Sequence, residues 1–252
     1  GRPLIVALTG TDLYGGLDAT VRRSMDLASA LVVLNELAGE TLPPRWRAKT
    51  HCVLPSATPL PPLAPRLHTF DVAVVGHLRA VKDPALPMRV ARALPGQSRI
   101  RVLHAGQGLE PGWARAARAT ERATNRYRWL GGLAGATARA LIRRSRVLLH
   151  PSKEEGGATV IVEALQSGTA VIASGCEGNA GLLGPDHPGL FPVGDADAAA
   201  ALLLRAEDDP AFHRALLAAG RRRARLYTPD HEGRSLLRLV HNSLRNRPST
   251  PR

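Results

Sequence analysis

The chain is short of several things, and each shortage removes a class of function. Two cysteines among 252 residues make no disulfide framework, and no apolar run reaches the ~20 residues that a membrane-spanning helix requires. Aromatic residues are 4% of the chain, so platforms for stacking nucleobases are scarce. The nine histidines show no paired ligand spacing on a common helix face and no cysteine pair accompanies them, which argues against a metal centre. Acidic residues are outnumbered, and the net charge of +13 would suit a nucleic-acid partner. Of the 34 basic residues only three are lysine, however, and the arginines are scattered; the run 221–223 reads as a helix surface. The positive field is better suited to drawing small anionic substrates into a cleft than to gripping a duplex. No signal sequence is visible, and cytoplasmic placement is the default. The chain opens on Gly1 and enters an apolar strand at once, so it reads as a fragment lacking its natural start.

The richest segment is HPSKEEGGATVIVEALQSGTAVIAS, residues 150–174. The pattern predicts a buried strand over 147–150, a helix over 158–166 and a second strand over 170–173, a strand-helix-strand unit of a parallel sheet. In such a unit the loop after the first strand lies at the carboxyl edge of the sheet. Gly156 and Gly157 let backbone amides there approach a ligand closely, and the amides from Gly157 through Ala158 to Thr159 open the helix at its positive end. Glu155 precedes the helix, and Glu163 is expected about two turns inside it. The two carboxylates would then accept hydroxyl hydrogen bonds at different depths of one cleft, which suits a polyol.

A second candidate lies upstream in FDVAVVGHLRAVKDP, residues 70–84. Alternating apolar residues predict a strand that Gly76 ends, and Lys82 follows on a loop before Pro84 and a helical stretch. A lysine at such an edge is a phosphate clamp, with Arg79 and His77 as further cationic candidates. Near the start, ALTGTDLY leaves a strand through Gly10 and puts Thr9, Thr11 and Asp12 at a strand edge facing a presumed interdomain cleft; a helix cap or plain turn is the simpler reading.

The organisation is α/β. Strands are expected over 4–8, 31–34 and 51–54, with a helix over 19–30 and a short helix or turn over 43–49. Residues 55–66 then hold five prolines in twelve positions, so they form neither helix nor central strand and read as a linker that we take to residue 68. A second unit is expected over 69–228, including a helix over 134–144 and one long helical stretch over 197–226. Residues 229–246 read as a further helix and 247–252 as a disordered tail, which gives divisions at 1–68, 69–228 and 229–252. Asp195 and Asp197 imitate a metal-binding Asp-x-Asp, but their place before an alanine-leucine helix makes an N-cap the better reading.

Pro151, Ser152, Glu155, Gly156, Glu163, Ala164 and Gly168 together resemble the donor-site signature of retaining GT-B glycosyltransferases. The resemblance implies two Rossmann-like domains with a cleft between them, here with an incomplete N-terminal domain, and a terminal helix that crosses back to the first domain. It implies that Glu155 contacts the donor sugar, that Glu163 holds the ribose, and that Gly76 and Lys82 belong to the element neutralising the departing diphosphate. His77 stands where that family has arginine, so Arg79 is the candidate substitute. RYRWLG, residues 126–131, resembles the element before the base-binding loop, which implies nucleobase contacts at Leu130 and Gly131; an edge strand with a buried Trp129 is the plain alternative. SGCEGNAGLLG, residues 174–184, resembles the loop near the diphosphate and brings in Asn179.

The set LTGTDLY, LVVLNELA, VVGHLRAVKDP, RYRWLGG, EEGGATVIVEALQSG and GCEGNAGLLG resembles the selenosugar synthases of the selenoneine pathway. That likeness implies transfer of a sugar from a UDP-sugar, UDP-GlcNAc or UDP-glucose, to selenophosphate, without a metal or other cofactor. It also implies a functional link to enzymes that produce selenophosphate and form selenoneine, and no nucleic-acid or membrane partner. Thr9 takes the place of a histidine found in many GT-B enzymes, a change that an already anionic nucleophile tolerates. The alternatives are a GT-B transferase with a hydroxyl or thiol acceptor, and a nucleotide-sugar binder without turnover.

Overall fold

A computed structural model describes residues 3–245. Its first part is a parallel sheet of β1 (Ile5–Ala7), β2 (Ala30–Val33) and β3 (Thr50–Cys52), in that spatial order. The connections hold α1 (Gly10–Tyr14), α2 (Ala19–Leu27) and α3 (Pro44–Arg47). The central strand is buried along its whole length, which is why Ala-Leu-Val-Val shows no polar alternation. Leu31 and Val33 pack with Leu8, Met25 and Trp46 on one face, and Ala30 and Val32 meet Val53 and Leu239 on the other.

The second part is a six-stranded parallel sheet ordered β6-β5-β4-β7-β8-β9. Its strands are β4 (Phe70–Val75), β5 (Ile100–Ala105), β6 (Tyr127–Gly131), β7 (Val147–His150), β8 (Ala170–Ser174) and β9 (Leu190–Phe191). Around them lie α4 (Ala85–Ala93), α5 (Trp113–Ala123), α6 (Gly135–Arg144), α7 (Thr159–Gln166), α8 (Glu177–Leu183), α9 (Ala196–Asp208) and α10 (Pro210–Ala224), followed by α11 (Pro229–Arg245). The chain steps outward from β4 to β6 and then returns to place β7 on the other side of β4. That reversal opens a crevice beyond the carboxyl ends of β4 and β7, where a doubly wound sheet binds its ligand.

The single helical stretch expected over 197–226 is two helices. Pro210 lacks the N–H a continuing helix needs, and Asp209 caps the second helix by accepting from the amides of Ala211 and Phe212 at 2.9 and 3.1 Å. Asp195 caps the first in the same way, accepting from the Ala198 amide at 2.9 Å. The proline-rich segment after β3 is strapped to the larger unit, with Ala57 N donating to Tyr227 O at 3.2 Å and Leu63 N to Arg143 O at 3.0 Å. Helix α11 sets Leu239 against the three-stranded sheet, while Ser56 Oγ donates to Glu232 Oε2 at 2.5 Å. The tail expected over 247–252 lies outside the described residues.

Candidate active site

The site is built from three loops at strand ends. Beyond β4, Leu78 is fully buried and its amide donates to Gln107 O at 2.8 Å, which turns the chain into a 3-10 turn over Ala80–Lys82. The turn closes on Asp83 at φ 42°, a left-handed conformation that aspartate tolerates better than most residues. Lys153 N donates to Val81 O at 2.9 Å and ties this turn to the loop after β7. Lys82 Nζ thereby comes to 2.5 Å from Glu155 Oε1, across 73 residues of sequence.

Glu155 is buried, and its second partner comes from below. His150, the last residue of β7, places Nε2 2.8 Å from the same Oε1, and Ser152 Oγ lies 3.2 Å from that nitrogen. Burial pushes the Glu155 carboxyl up. The hydrogen bond and field of His150, followed by the charge and hydrogen bond of Lys82, outweigh burial and hold it down at about 2. It is a fixed anion at any ordinary pH.

The loop of Gly156 and Gly157 meets the three-stranded part at backbone distance. A Cβ on Gly156 would stand 2.3 Å from Gly10 N, and one on Gly157 would stand 2.6 Å from Leu34 Cβ. Only glycine allows the two units to close this far. Asn35, fully buried two residues past β2, donates from Nδ2 to Gly156 O at 2.9 Å while its Oδ1 accepts from the amides of Leu37 and Ala38. Sequence reasoning passed over Asn35 and His150; the available signal was one polar residue closing each of two apolar strands.

Thr9, Gly10, Arg79, Lys82, Glu155, Gly156 and Gly157 share one cavity of about 440 Å³ with Leu34, Val81 and Glu154. Asp12 stands behind Thr9, accepting from its amide at 3.0 Å and its hydroxyl at 2.8 Å, so the strand edge is a capped turn into α1 that also contains Thr11. Glu163 is not in this cavity. The helix starts at Thr159, which puts Glu163 just past its first turn, and both line a second cavity of about 520 Å³ with Ser56, Thr58, Ser167 and Arg139. Arg139 Nη1 lies 3.6 Å from Glu163 Oε1; burial nevertheless raises the carboxyl above its ordinary value, against the pull of Arg139.

Gly76 and His77 line a third cavity, of about 200 Å³, with Gly106 and Leu133. His77 Nδ1 accepts from the Gln107 amide at 3.1 Å, so the structure does not bring His77 to Lys82. Gly131, at φ 67°, accepts from Gly106 N at 2.7 Å beside this cavity and ends β6 after Leu130. β6 is an edge strand, and its Trp129 is half-buried, donating from Nε1 to Gly106 O at 2.8 Å. Ala158 buries its side chain in the core and offers only its backbone. Asn179 is fully buried and lines none of these three cavities; its Nδ2 donates to Ser174 O and Ser174 Oγ at 3.0 Å each, and its Oδ1 has no partner among the described residues. Through Nδ2 it braces the turn after β8.

Among the described residues no cluster of three metal-ligating side chains occurs, and no helix is long and apolar enough to cross a membrane. The profile of the family described as glycosyl transferases group 1 matches residues 63–223. No curated protein matches the chain. Among solved structures, a sucrose-phosphate synthase from Thermosynechococcus elongatus superposes with a TM-score of 0.78 at 19% identity, covering 96% of this chain and 68% of its own. Anabaena Alr3699/HepE in complex with UDP and glucose gives 0.80 at 15% identity, with 96% and 72% covered. A Staphylococcus aureus TarM mutant in complex with fondaparinux, alpha-GlcNAc-glycerol and UDP gives 0.74 at 13%, with 94% and 50% covered. At these identities the likeness is one of fold, and the fold is GT-B.

Proposed function

This chain belongs to the group 1 glycosyl transferases, and we propose that it moves a sugar from a UDP-sugar, UDP-glucose or UDP-GlcNAc, to selenophosphate, forming a selenosugar for selenoneine synthesis. The observation that carries the reading is the cavity where Lys82, Arg79 and the ionised Glu155 face Thr9 and Gly10 of the other unit. In the reaction the bond from sugar C1 to the diphosphate oxygen breaks and UDP leaves with the electron pair, while the selenium of selenophosphate forms the new bond to C1; water then cleaves the Se–P bond, releasing phosphate and the selenosugar. Lys82, with Arg79 and the amides at the start of α7, neutralises charge that grows on the diphosphate. Gly76 lines the cavity assigned to the base, with Gly131 joined to its wall through Gly106 and Leu130 next to it in sequence, and Glu163 holds the ribose. The UDP in the complex of the Anabaena neighbour supports the choice of nucleotide.

The acceptor is the finer step, and two features support it. The first is the resemblance of the motif set. The second is the lining itself: Thr9, a residue with no base strength, stands where the resemblance implies a histidine, in a cavity where Arg79 and Lys82 lie beside Glu154 and the ionised Glu155; with Lys82 paired to Glu155, Arg79 is the cation left for an anionic acceptor. Selenophosphate arrives ionised and soft, and needs positioning rather than deprotonation. The test is incubation of the protein with UDP-glucose or UDP-GlcNAc and, in parallel, selenophosphate, a simple alcohol or a thiol, with products read by mass spectrometry. UDP release with a selenium-bearing sugar is the expected result. A product with the alcohol or thiol alone reassigns the acceptor, and UDP-sugar binding without any turnover makes the chain a binder.

A further inference from the structure

One carboxylate oxygen is used twice. Glu155 Oε1 accepts from Lys82 Nζ at 2.5 Å and meets His150 Nε2 at 2.8 Å, and among the described residues no partner is found for Oε2. A carboxylate can only accept, so the proton between it and the imidazole resides on His150 Nε2. Ser152 Oγ, at 3.2 Å from the same nitrogen, is then a second, weaker acceptor of that N–H. The support extends further back. Ser174 Oγ donates to Ser152 O, and Asn179 Nδ2 donates to Ser174 O and Oγ at 3.0 Å. A continuous chain of buried polar groups thus runs from α8 through the ends of β8 and β7 to the cavity.

We infer that His150 is a positioning residue, whose buried Nε2–H anchors Oε1 of Glu155 and leaves Oε2 directed at a hydroxyl of the transferred sugar. The inference deepens the proposed transferase reading and rests on it for the identity of that sugar. Three points separate a positioning role from ordinary core filling. His150 is 3% exposed, so it cannot bind a ligand itself. Its Nε2 meets a carboxylate at 2.8 Å and a hydroxyl at 3.2 Å rather than backbone groups that need satisfying. And Lys82, alone, would leave the carboxylate free to swing, because one lysine is a point charge on a flexible stem. The other titratable or charged groups around Glu155 are Arg79 and Glu154, which line the same cavity, and Cys176 before α8. Glu154 and a buried thiol give it no further support as an anion.

Removing the imidazole should therefore free Glu155 to take up a proton. With Glu155 observed by carbon-13 NMR of glutamate-labelled full chain, and its signal assigned with Glu155→Gln, the wild type should show no titration of that carboxyl above about pH 4. In His150→Phe the titration should rise into the range above about pH 4, and in His150→Gln, which offers an amide N–H in place of the imidazole N–H, it should return toward the wild type. In turnover assays with UDP-glucose or UDP-GlcNAc, His150→Phe should lose roughly tenfold or more in kcat/KM and acquire an acid limb that follows the NMR midpoint, again rescued by glutamine. Circular dichroism melts identify a variant that fails to fold, and His150→Gln then carries the test through its own titration and acid limb. A Glu155 midpoint unmoved in folded His150→Phe overturns the inference, as does a folded His150→Gln variant that behaves like His150→Phe. If the wild type turns over no UDP-sugar but the NMR midpoints move as described, the transferase reading fails while the anchoring of Glu155 stands.

Discussion

Glu155 and Glu163 stand eight residues apart in one motif, and the fold gives them opposite environments. Glu155 sits before the helix, anchored by His150 and Lys82 and held at about 2. Glu163 sits on the helix, with Arg139 3.6 Å away and its carboxyl pushed up by burial. The first is a charge fixed before any ligand arrives. The second is an acceptor that a ligand can still claim, because its one counter-ion is loose and half exposed to water. The same residue type thus serves electrostatic preorganisation at one end of the donor site and recognition at the other.

The comparison breaks most severely at Lys82. Lys82→Ala removes the charge expected to grow in importance as the diphosphate departs, so turnover should fall roughly a hundredfold or more beyond any change in donor binding. Steady-state kinetics that show only a raised KM, with kcat intact, would reduce Lys82 to a binding residue. Glu163→Gln addresses the other end. It keeps the shape and weakens the acceptor, and UDP affinity should drop by about 1 to 3 kcal/mol in calorimetry. Unchanged affinity would take Glu163 out of the ribose subsite.

Acidification sharpens the same contrast. A carboxyl whose value is raised takes up its proton early as pH falls, and one that is depressed takes it up late. UDP affinity of the wild type should therefore weaken as pH falls through the raised Glu163 value, while Glu155 is still ionised. In Glu163→Gln that pH dependence should be gone. If it persists, the titrating group lies elsewhere on the nucleotide or the protein.

The parts of this arrangement that local chemistry dictates were legible in the sequence. The apolar run at 147–150, the glycine pair and the helix after it predict a strand, a loop and a helix, and the structure has them within a residue. The break at Pro210 was also written there, as Asp-Pro at a helix start, but a continuous alanine-leucine pattern overrode it. What the sequence could not show is what crosses between elements. Lys82 and Glu155 meet because the sheet order places β4 beside β7, and no spacing records that. Nor does spacing show that Glu155 and Glu163 open onto different cavities, or that Asn35 reaches Gly156 from the other sheet. Nor does spacing show that Asn179 is fully buried with its Nδ2 on Ser174.

The smallest expected effect lies across the crevice, at Asp12, and it separates the acceptor side from both glutamates. Asp12 accepts from the amide and hydroxyl of Thr9, at 3.0 and 2.8 Å, and is not itself part of the cavity lining. Asp12→Ala removes a helix-start cap, so urea unfolding should report a loss of about 1 kcal/mol. The freed Thr9 side chain would then rotate at the cavity wall. UDP affinity should not change, because the nucleotide's proposed contacts are all on the six-stranded unit, whereas KM for the acceptor should rise by a few-fold. The signs matter more than the sizes. A weakened UDP affinity would mean that the Thr9 loop holds the donor as well, through its backbone contact at Gly10 and Gly156, and the division of labour between the two sides of the crevice would have to be redrawn.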